Sequence, residues 1–301
     1  MAVPKILLFY HFTPLADPEA VRLWQRELAA SLKLRGRVIV GPHGINGTLG
    51  GTVDACKQYL KRTREYPGFR GLTAKWSEGT GIDETGRSID FPRLSVKNRP
   101  EIVSFGVADE VRVTADGIEG GGTRLTPAEL NDLAATRDDV TFFDGRNAIE
   151  AEVGRFKGAI VPPTKTTHDF ITALESGAYD HLKHSPVVTY CTGGIRCEVL
   201  TVLMRNRGFE EVYQLDGGIV TYGQQFGNEG LWQGSLAVFD NREVIDVGPS
   251  PEVIGRCHRC GSPTPRLRNC SDLSCRERLV TCPECAGDVW CEAHGSDRVA
   301  G

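Results

Sequence analysis

The amino-acid sequence predicts a multidomain chain of mixed α/β and α+β class: an α+β front, a parallel α/β middle and a small cysteine-rich end. Three observations lead there. Up to about residue 110, β-rich apolar runs and amphipathic segments follow in the order βαββαβ. From Thr126 strands and helices alternate, the pattern of a mostly parallel sheet covered on both faces. Seven of the ten cysteines lie between Cys257 and Cys291. A length of 301 residues fits two or three domains.

Composition narrows the class. Charged residues make up 25% and hydrophobic ones 40%, ordinary for a globular protein and wrong for a fibrous or disordered one. No apolar run approaches the ~18 residues that a membrane span needs. Met1 to Phe12 lacks a basic stretch and a small-residue cleavage site, so a cytoplasmic protein with no membrane partner is expected. In that compartment clustered thiols are metal ligands or catalysts rather than a disulfide framework. The net charge of −4 is unevenly spread: residues 1–110 carry +4 and residues 111–240 carry −7.

In the front (residues 1–110), Lys5–Phe12 reads as a buried strand. Asp17-Pro18 reads as an N-cap followed by a first-turn proline, opening a helix with Val21, Trp24, Leu28 and Leu32 on one face and Gly36 as its stop. Strand Arg37–Gly41, turn Pro42-His43-Gly44, strand Ile45–Gly51, helix Val53–Tyr66 and strand Leu72–Ser77 complete a ferredoxin-like (acylphosphatase-like) arrangement. Leu94–Phe105 adds a strand. Lys57, Lys61, Arg62 and Arg64 on the second helix, with Lys97 and Arg99, are candidates for contacts to a nucleic-acid backbone, the alternative being a solvated face.

The middle (residues 120–240) follows a linker or loop at Asp116–Thr123. Thr126-Pro127-Ala128-Glu129 is a capping box opening a helix to Thr136. Strands are expected at Val140–Asp144, Ala159–Ile160, Pro186–Tyr190 and Val212–Leu215. Helices are expected near Asn147–Glu152 and Thr167–Glu175 and at Cys197–Arg207.

One loop carries chemistry. Cys191 follows an apolar strand directly, and Thr192, Gly193, Gly194, Ile195, Arg196 and Cys197 lead into a helix. Adjacent glycines let the backbone curl and aim several N–H groups at one centre. A helix N-terminus and Arg196 add positive charge. All three terms stabilise a thiolate, so Cys191 is expected below the ordinary thiol pKa of ~8.5, as a nucleophile. Cys197 is either a resolving thiol for an oxidised Cys191 or a small residue packed under the loop.

Four motifs carry a resemblance. They are this loop, Asp144-Gly145-Arg146 with Glu150, Gly154-Arg155-Phe156-Lys157-Gly158-Ala159-Ile160, and Val212-Tyr213-Gln214-Leu215-Asp216-Gly217-Gly218. Together, over about Thr126 to Tyr222, they resemble the rhodanese family, whose loop cysteine carries sulfur as a persulfide. The match implies that Cys191 is the reactive centre and that Asp144 and Arg146 brace the loop region. The Cys-x4-Arg spacing is one residue tighter than in related phosphatases, which disfavours phosphatase activity.

The wording is closer still to one branch. CTGGIRCE, Gly158-Ala159-Ile160-Val161-Pro162-Pro163, EVYQLDGGI and Gly44-Ile45-Asn46-Gly47-Thr48 resemble the oxygen-dependent tRNA uridine(34) hydroxylase family. That resemblance implies a ferredoxin-like domain before a rhodanese domain, a cysteine-rich tail after it, tRNA as partner, and 5-hydroxylation of the wobble uridine with molecular oxygen as co-substrate. Gly145 and the Ala148-Ile149 pair depart from the family's usual residues. No iron triad, flavin site or dinucleotide fingerprint is readable. Tyr222, Phe226 and Trp232 are candidates to stack a splayed base, with core or lid packing as the alternative. Two other functions use the same features: a thiosulfate or persulfide sulfurtransferase carrying sulfur on Cys191, and a non-catalytic zinc- and RNA-binding adaptor.

The tail (residues 250–296) reads Cys257-x2-Cys260, Cys270-x4-Cys275, Cys282-x2-Cys285 and Cys291-x2-His294. Eight ligands suit two structural zinc ions. Pairing first with third and second with fourth interlocks the sites, whereas pairing in sequence stacks two knuckles; spacing alone leaves both open. One zinc on Cys257, Cys260, Cys282 and Cys285 is the smaller alternative. So short a segment has little apolar core, so metal must supply its folding free energy. His258 is expected to point outward.

Overall fold

The computed structural model describes residues 3–275 and 277–295, so residues 276 and 296 of the expected tail lie outside the described residues. The front begins with β1 (Pro4–Phe12), α1 (Pro18–Ser31), β2 (Arg35–Gly41), β3 (Gly44–Thr52), α2 (Val53–Thr63), β4 (Thr73–Glu78) and β5 (Leu94–Asn98). The sheet order is β4-β1-β3-β2-β5, antiparallel except for the β2/β5 pair. Asp17 caps α1, accepting from the Ala20 N–H at 2.9 Å, and Val21, Gln25, Leu28 and Ala29 are its buried residues.

α1 ends differently from expectation. Lys33 takes the left-handed conformation (φ 59°), and the N–H groups of Lys33 and Leu34 return to the carbonyls of Ala30 and Ala29 at 3.0 and 2.9 Å. Gly36 is not the stop: it lies inside β2, where a Cβ would collide with the Thr48 carbonyl of β3. β5 also ends early, at Asn98 rather than Phe105, because Pro100 has no N–H to continue a ladder. The chain then carries Ile102 and Phe105 into the core of the middle domain.

β1 explains how the units are joined. Leu7 and Phe9 face the helices, in a core with Leu28, Leu49 and Tyr59. Leu8 and Tyr10, on the opposite face, meet the middle domain. A strand covered on both faces reads as a continuous apolar run, which Lys5–Phe12 is.

A short ribbon, β6 (Val113–Thr114) with β7 (Gly117–Ile118), occupies part of the expected loop, and β8 (Thr123–Leu125) starts where that loop was to end. Then come α3 (Pro127–Thr136), β9 (Thr141–Asp144), α4 (Ala148–Ala151), β10 (Gly154–Phe156), α5 (Asp169–Glu175), β11 (Val187–Tyr190), α6 (Ile195–Asn206), β12 (Val212–Leu215) and α7 (Gly218–Phe226). The sheet β8-β12-β11-β9 is wholly parallel. Both arms of the capping box form at Thr126 and Glu129. Ala159–Ile160 is no strand: Ile160 makes a single bridge to Phe143, while β10 pairs antiparallel with β13 (Trp232–Gly234).

β14 (Leu236–Ala237) pairs with β15 (Val244–Ile245), and the tail adds the ribbon β16 (Leu267–Asn269) with β17 (Arg278–Val280) and a short α8 (Glu292–Gly295). Val153, Ala237, Leu267 and Val280 form one small core between tail and middle. Among the described residues no helix is long and apolar enough to cross a membrane.

The exposed left-handed Lys33 costs roughly 1 kcal/mol against a residue without a Cβ, less glycine's own entropy loss. Lys33→Gly is therefore expected to stabilise the protein by a few tenths to about 1 kcal/mol in urea unfolding, with activity unchanged.

Candidate active site and metal centres

Cys191 leaves the carboxyl end of β11 and is 1% exposed. The Gly194 N–H, in a left-handed residue (φ 102°), donates to its Sγ at 3.2 Å. The start of α7 holds the loop from the other side: the N–H groups of Ile219 and Val220 donate to the carbonyls of Cys191 and Thr192 at 2.9 and 3.1 Å. Gly218 (φ 66°) makes this approach possible. A Cβ there would stand 2.5 Å from the Cys191 carbonyl and 2.8 Å from the Gly194 nitrogen.

The loop glycines serve a second purpose. A Cβ on Gly193 would meet Leu8 Cδ2 at 2.5 Å, and one on Gly194 would meet the Tyr10 hydroxyl at 2.9 Å. The open face of the front sheet is seated on the loop. Tyr10 donates to Glu198 Oε1 at 2.9 Å, and Arg124 pairs with the same oxygen at 2.7 Å, tying β1 and β8 to α6.

Arg196 does not stand free. Its guanidinium makes a two-pronged pair with buried Glu150, at 2.6 and 3.0 Å, and donates to Thr192 Oγ1 at 3.1 Å. Beside β11, at the end of β9, fully buried Arg146 pairs with Asp144 at 2.9 and 2.6 Å and donates to the Gly154 carbonyl at 2.7 Å. Arg146 also lies against the Tyr190 and Trp232 rings, and the Tyr190 hydroxyl donates to Asp144 at 2.8 Å. This network fixes the residue immediately before Cys191.

The two loop thiols are driven in opposite directions. Burial pushes Cys191 up, but the Cys197 thiol, the Arg196 charge and the N–H groups of Cys197 and Gly194 outweigh it and hold the group well below the ordinary thiol range. Burial, the hydrogen bond to Cys191 and its negative charge push Cys197 well above that range. The same contact thus favours the thiolate at Cys191 and the thiol at Cys197.

Cys191 borders a cavity of about 430 Å³ between the middle domain and the open face of the front sheet. Leu8, Tyr10, Asn46, Thr48 and Lys75 contribute from the front, and Thr192 and Arg196 from the loop. Sequence reasoning missed Tyr10 and Lys75 as neighbours of the site, and missed Glu150 as the partner of Arg196. The acidic residue beside the Asp144-Gly145-Arg146 motif was the available signal for Glu150; nothing local marks the other two.

The remaining expectations divide. Tyr222, Phe226 and Trp232 are not at the cavity: they pack with Phe142, Phe156 and Tyr190 in the core. The aromatic residues of the cavity lining include Tyr10, Phe91 and Phe239 instead. Lys57, Lys61, Arg62, Arg64, Lys97 and Arg99 are all exposed, but they form two groups. Lys57, Lys61 and Arg64 border a hollow with Trp76 on the helix side. Lys97 pairs in register with Ile39, which places it on the cavity side at the far β5 edge.

The tail resolves the pairing left open by spacing. Cys257, Cys260, Cys282 and Cys285 form one group, and Cys270, Cys275, Cys291 and His294 another; within each, all ligand atoms lie within 4.8 Å of one another. This is the interlocked arrangement, first pair with third and second with fourth. A tetrahedral ion with metal–sulfur bonds of ~2.3 Å spaces its sulfurs by about 3.8 Å. Cys260 and Cys282 are 3.6 Å apart and Cys275 and Cys291 3.9 Å, so both donor sets fit zinc. All four positions of each site come from the protein, which suits a structural ion. His258 is exposed, as expected.

Two measurements follow from this geometry. Iodoacetamide labelling of Cys191 should persist at pH 7, where an ordinary thiol is mostly protonated, and fall only as the pH drops below that range, whereas Cys197 should stay unlabelled throughout. Elemental analysis of protein purified without chelator should find about two zinc ions per chain, and about one or none after Cys270→Ser.

Comparison with known sequences agrees with this three-part plan. Residues 4–102 match the "UPF0176 acylphosphatase like domain", residues 126–225 the "Rhodanese-like domain" and residues 233–293 the "Rhodanase C-terminal" family. The tRNA uridine(34) hydroxylase of Corynebacterium glutamicum strain R is 58% identical over 96% of this chain and 91% of its own length. That of Rhodococcus erythropolis strain PR4 is 57% identical over 96% and 99%. Among solved structures, the Alr3790 protein of Anabaena sp. is 22% identical over 36% of this chain and 91% of its own, with a TM-score of 0.31. At such identity over nearly its whole length, the chain belongs to the tRNA uridine(34) hydroxylase family.

Proposed function

We propose that this protein hydroxylates C5 of the wobble uridine of tRNA, with molecular oxygen as co-substrate and Cys191 as the essential thiolate. The observation that carries the reading is near full-length identity of 54–58% to relatives named tRNA uridine(34) hydroxylase, combined with a loop that holds one buried sulfur as an anion. A wobble base lies in a single-stranded loop and is splayed out at small cost. The cavity beside Cys191 is large enough for a ligand of that kind and is bordered by aromatic, amide and cationic groups.

Each residue then has a part. Cys191 presents its sulfur to the base. Gly194 and Cys197 hold that sulfur's charge by hydrogen bonds, and Glu150 fixes Arg196 beside it. Asp144 and Arg146 brace the end of β11 from the neighbouring strand β9. The exposed cations of α2 and β5 grip the tRNA backbone on either side of the front sheet. Two zinc ions hold the tail in shape. The setting is the cytoplasm, where tRNA is modified.

Nucleoside mass spectrometry of tRNA from a deletion strain tests the reading. The 5-hydroxyuridine derivatives should disappear, return with the wild-type chain and stay absent with Cys191→Ala. Unchanged derivatives in the deletion strain would overturn it. Cyanide-dependent thiocyanate production by the purified protein, with tRNA unchanged, would put the sulfurtransferase reading in its place.

A further inference from the structure

We infer that Lys75, carried by the edge strand of the front domain, is a positioning residue for Cys191: it adds a cation without a carboxylate partner to the charge of Arg196 at the thiolate's site, so the reactive centre is complete only when the front sheet is seated on the loop. The inference rests on Cys191 being the reactive centre of the proposed function.

The argument starts from the register. Lys75 lies opposite Leu8, whose side chain covers Gly193, while its neighbour Trp76 lies opposite core residue Leu7. Lys75 therefore projects from the cavity face of β4. Its Nζ stands 5.1 Å from the centroid of the Tyr10 ring, and its Cε lies 3.2 Å from where a Cβ on Gly217 would sit. The side chain thus crosses from the front sheet to the turn that opens α7 and borders the same cavity as Cys191.

Charge bookkeeping around the sulfur gives this placement its meaning. Arg124 is paired with Glu198, Arg146 with Asp144 and Arg242 with Asp240; Arg196 is paired with Glu150 yet still draws Cys191 toward the anion, and exposed Arg37 borders the same cavity. Lys75 has no carboxylate within ion-pair distance among the described residues. The charged groups it faces are Cys191, Asp216 and Glu198, with Arg124 opposing, and Glu198 is already held by Tyr10 and Arg124. Cys191 in turn faces Arg196, Cys197, Lys75 and Tyr10. Burial pulls Lys75 below the ordinary lysine range, and the Cys191 charge is the largest influence drawing it back. Two partly desolvated opposite charges interact far more strongly here than in water.

The test uses the full-length protein with Lys75→Met, close in shape but uncharged, and Lys75→Arg. Labelling of Cys191 by iodoacetamide is followed against pH, beside tRNA affinity, hydroxylation and melting temperature. Lys75→Met should move the labelling midpoint upward by about half a pH unit or more and slow hydroxylation roughly tenfold. Melting temperature should hold and tRNA affinity should stay within about twofold, since one exposed phosphate contact is not being removed. Lys75→Arg should restore the midpoint. An unmoved midpoint in folded Lys75→Met overturns the inference, as does a fall in tRNA affinity that accounts for the whole loss of turnover. If wild-type protein failed to hydroxylate tRNA while the midpoint still moved, this inference would stand and the assignment of the reaction would fall.

Discussion

The contact between the open face of the front sheet and the Cys191 loop governs the rest of the molecule. Leu8 and Tyr10 occupy the space that side chains at Gly193 and Gly194 would fill, and the start of α7 occupies the space a side chain at Gly218 would fill. The loop is therefore a thin layer of backbone between the front sheet and the start of α7. Its N–H groups can point at the sulfur because nothing on its outer surface competes for the room. Ile102 and Phe105 reinforce this seating, since they leave the front domain to be buried with Phe143 and Leu200 of the middle one.

The electrostatics follow from the same enclosure. Each buried guanidinium near the site is matched to a buried carboxylate, which avoids leaving a desolvated charge alone. Such pairs hold the guanidinium in place, and Arg196 so held still draws Cys191 toward the anion. What distinguishes Cys191 from Cys197, six residues on and equally buried, is its place at the focus of the curled backbone. Position within the turn decides which sulfur carries the charge.

Much of this was legible in the residues themselves where the physics is local. Asp17-Pro18 and Thr126-Pro127 named two helix starts because capping needs only neighbouring atoms. The Gly-Gly-x-Arg run after an apolar strand named the curled Cys191 loop for the same reason. What escaped depends on partners far along the chain. Glu150 lies 46 residues before Arg196, and Lys75 reaches the cavity only through the register of β4 on β1. Tyr222 and Trp232 were drawn toward the site by proximity in sequence, yet they belong to a core assembled around Phe156. Gly36 was read as a helix stop because glycine is common there, while the close approach of β3 was invisible. The pairing of the tail ligands escaped because four similar pairs fit either order.

That pairing has a consequence for the birth of the protein. Cys257 and Cys260 must wait for Cys282 and Cys285, and the ligands of the other group lie between and beyond them. Neither group is complete until Cys285 has been made, 25 residues after Cys260. An ion held by either group would enclose or abut ligands of the other, so the two sites would form together rather than one after the other.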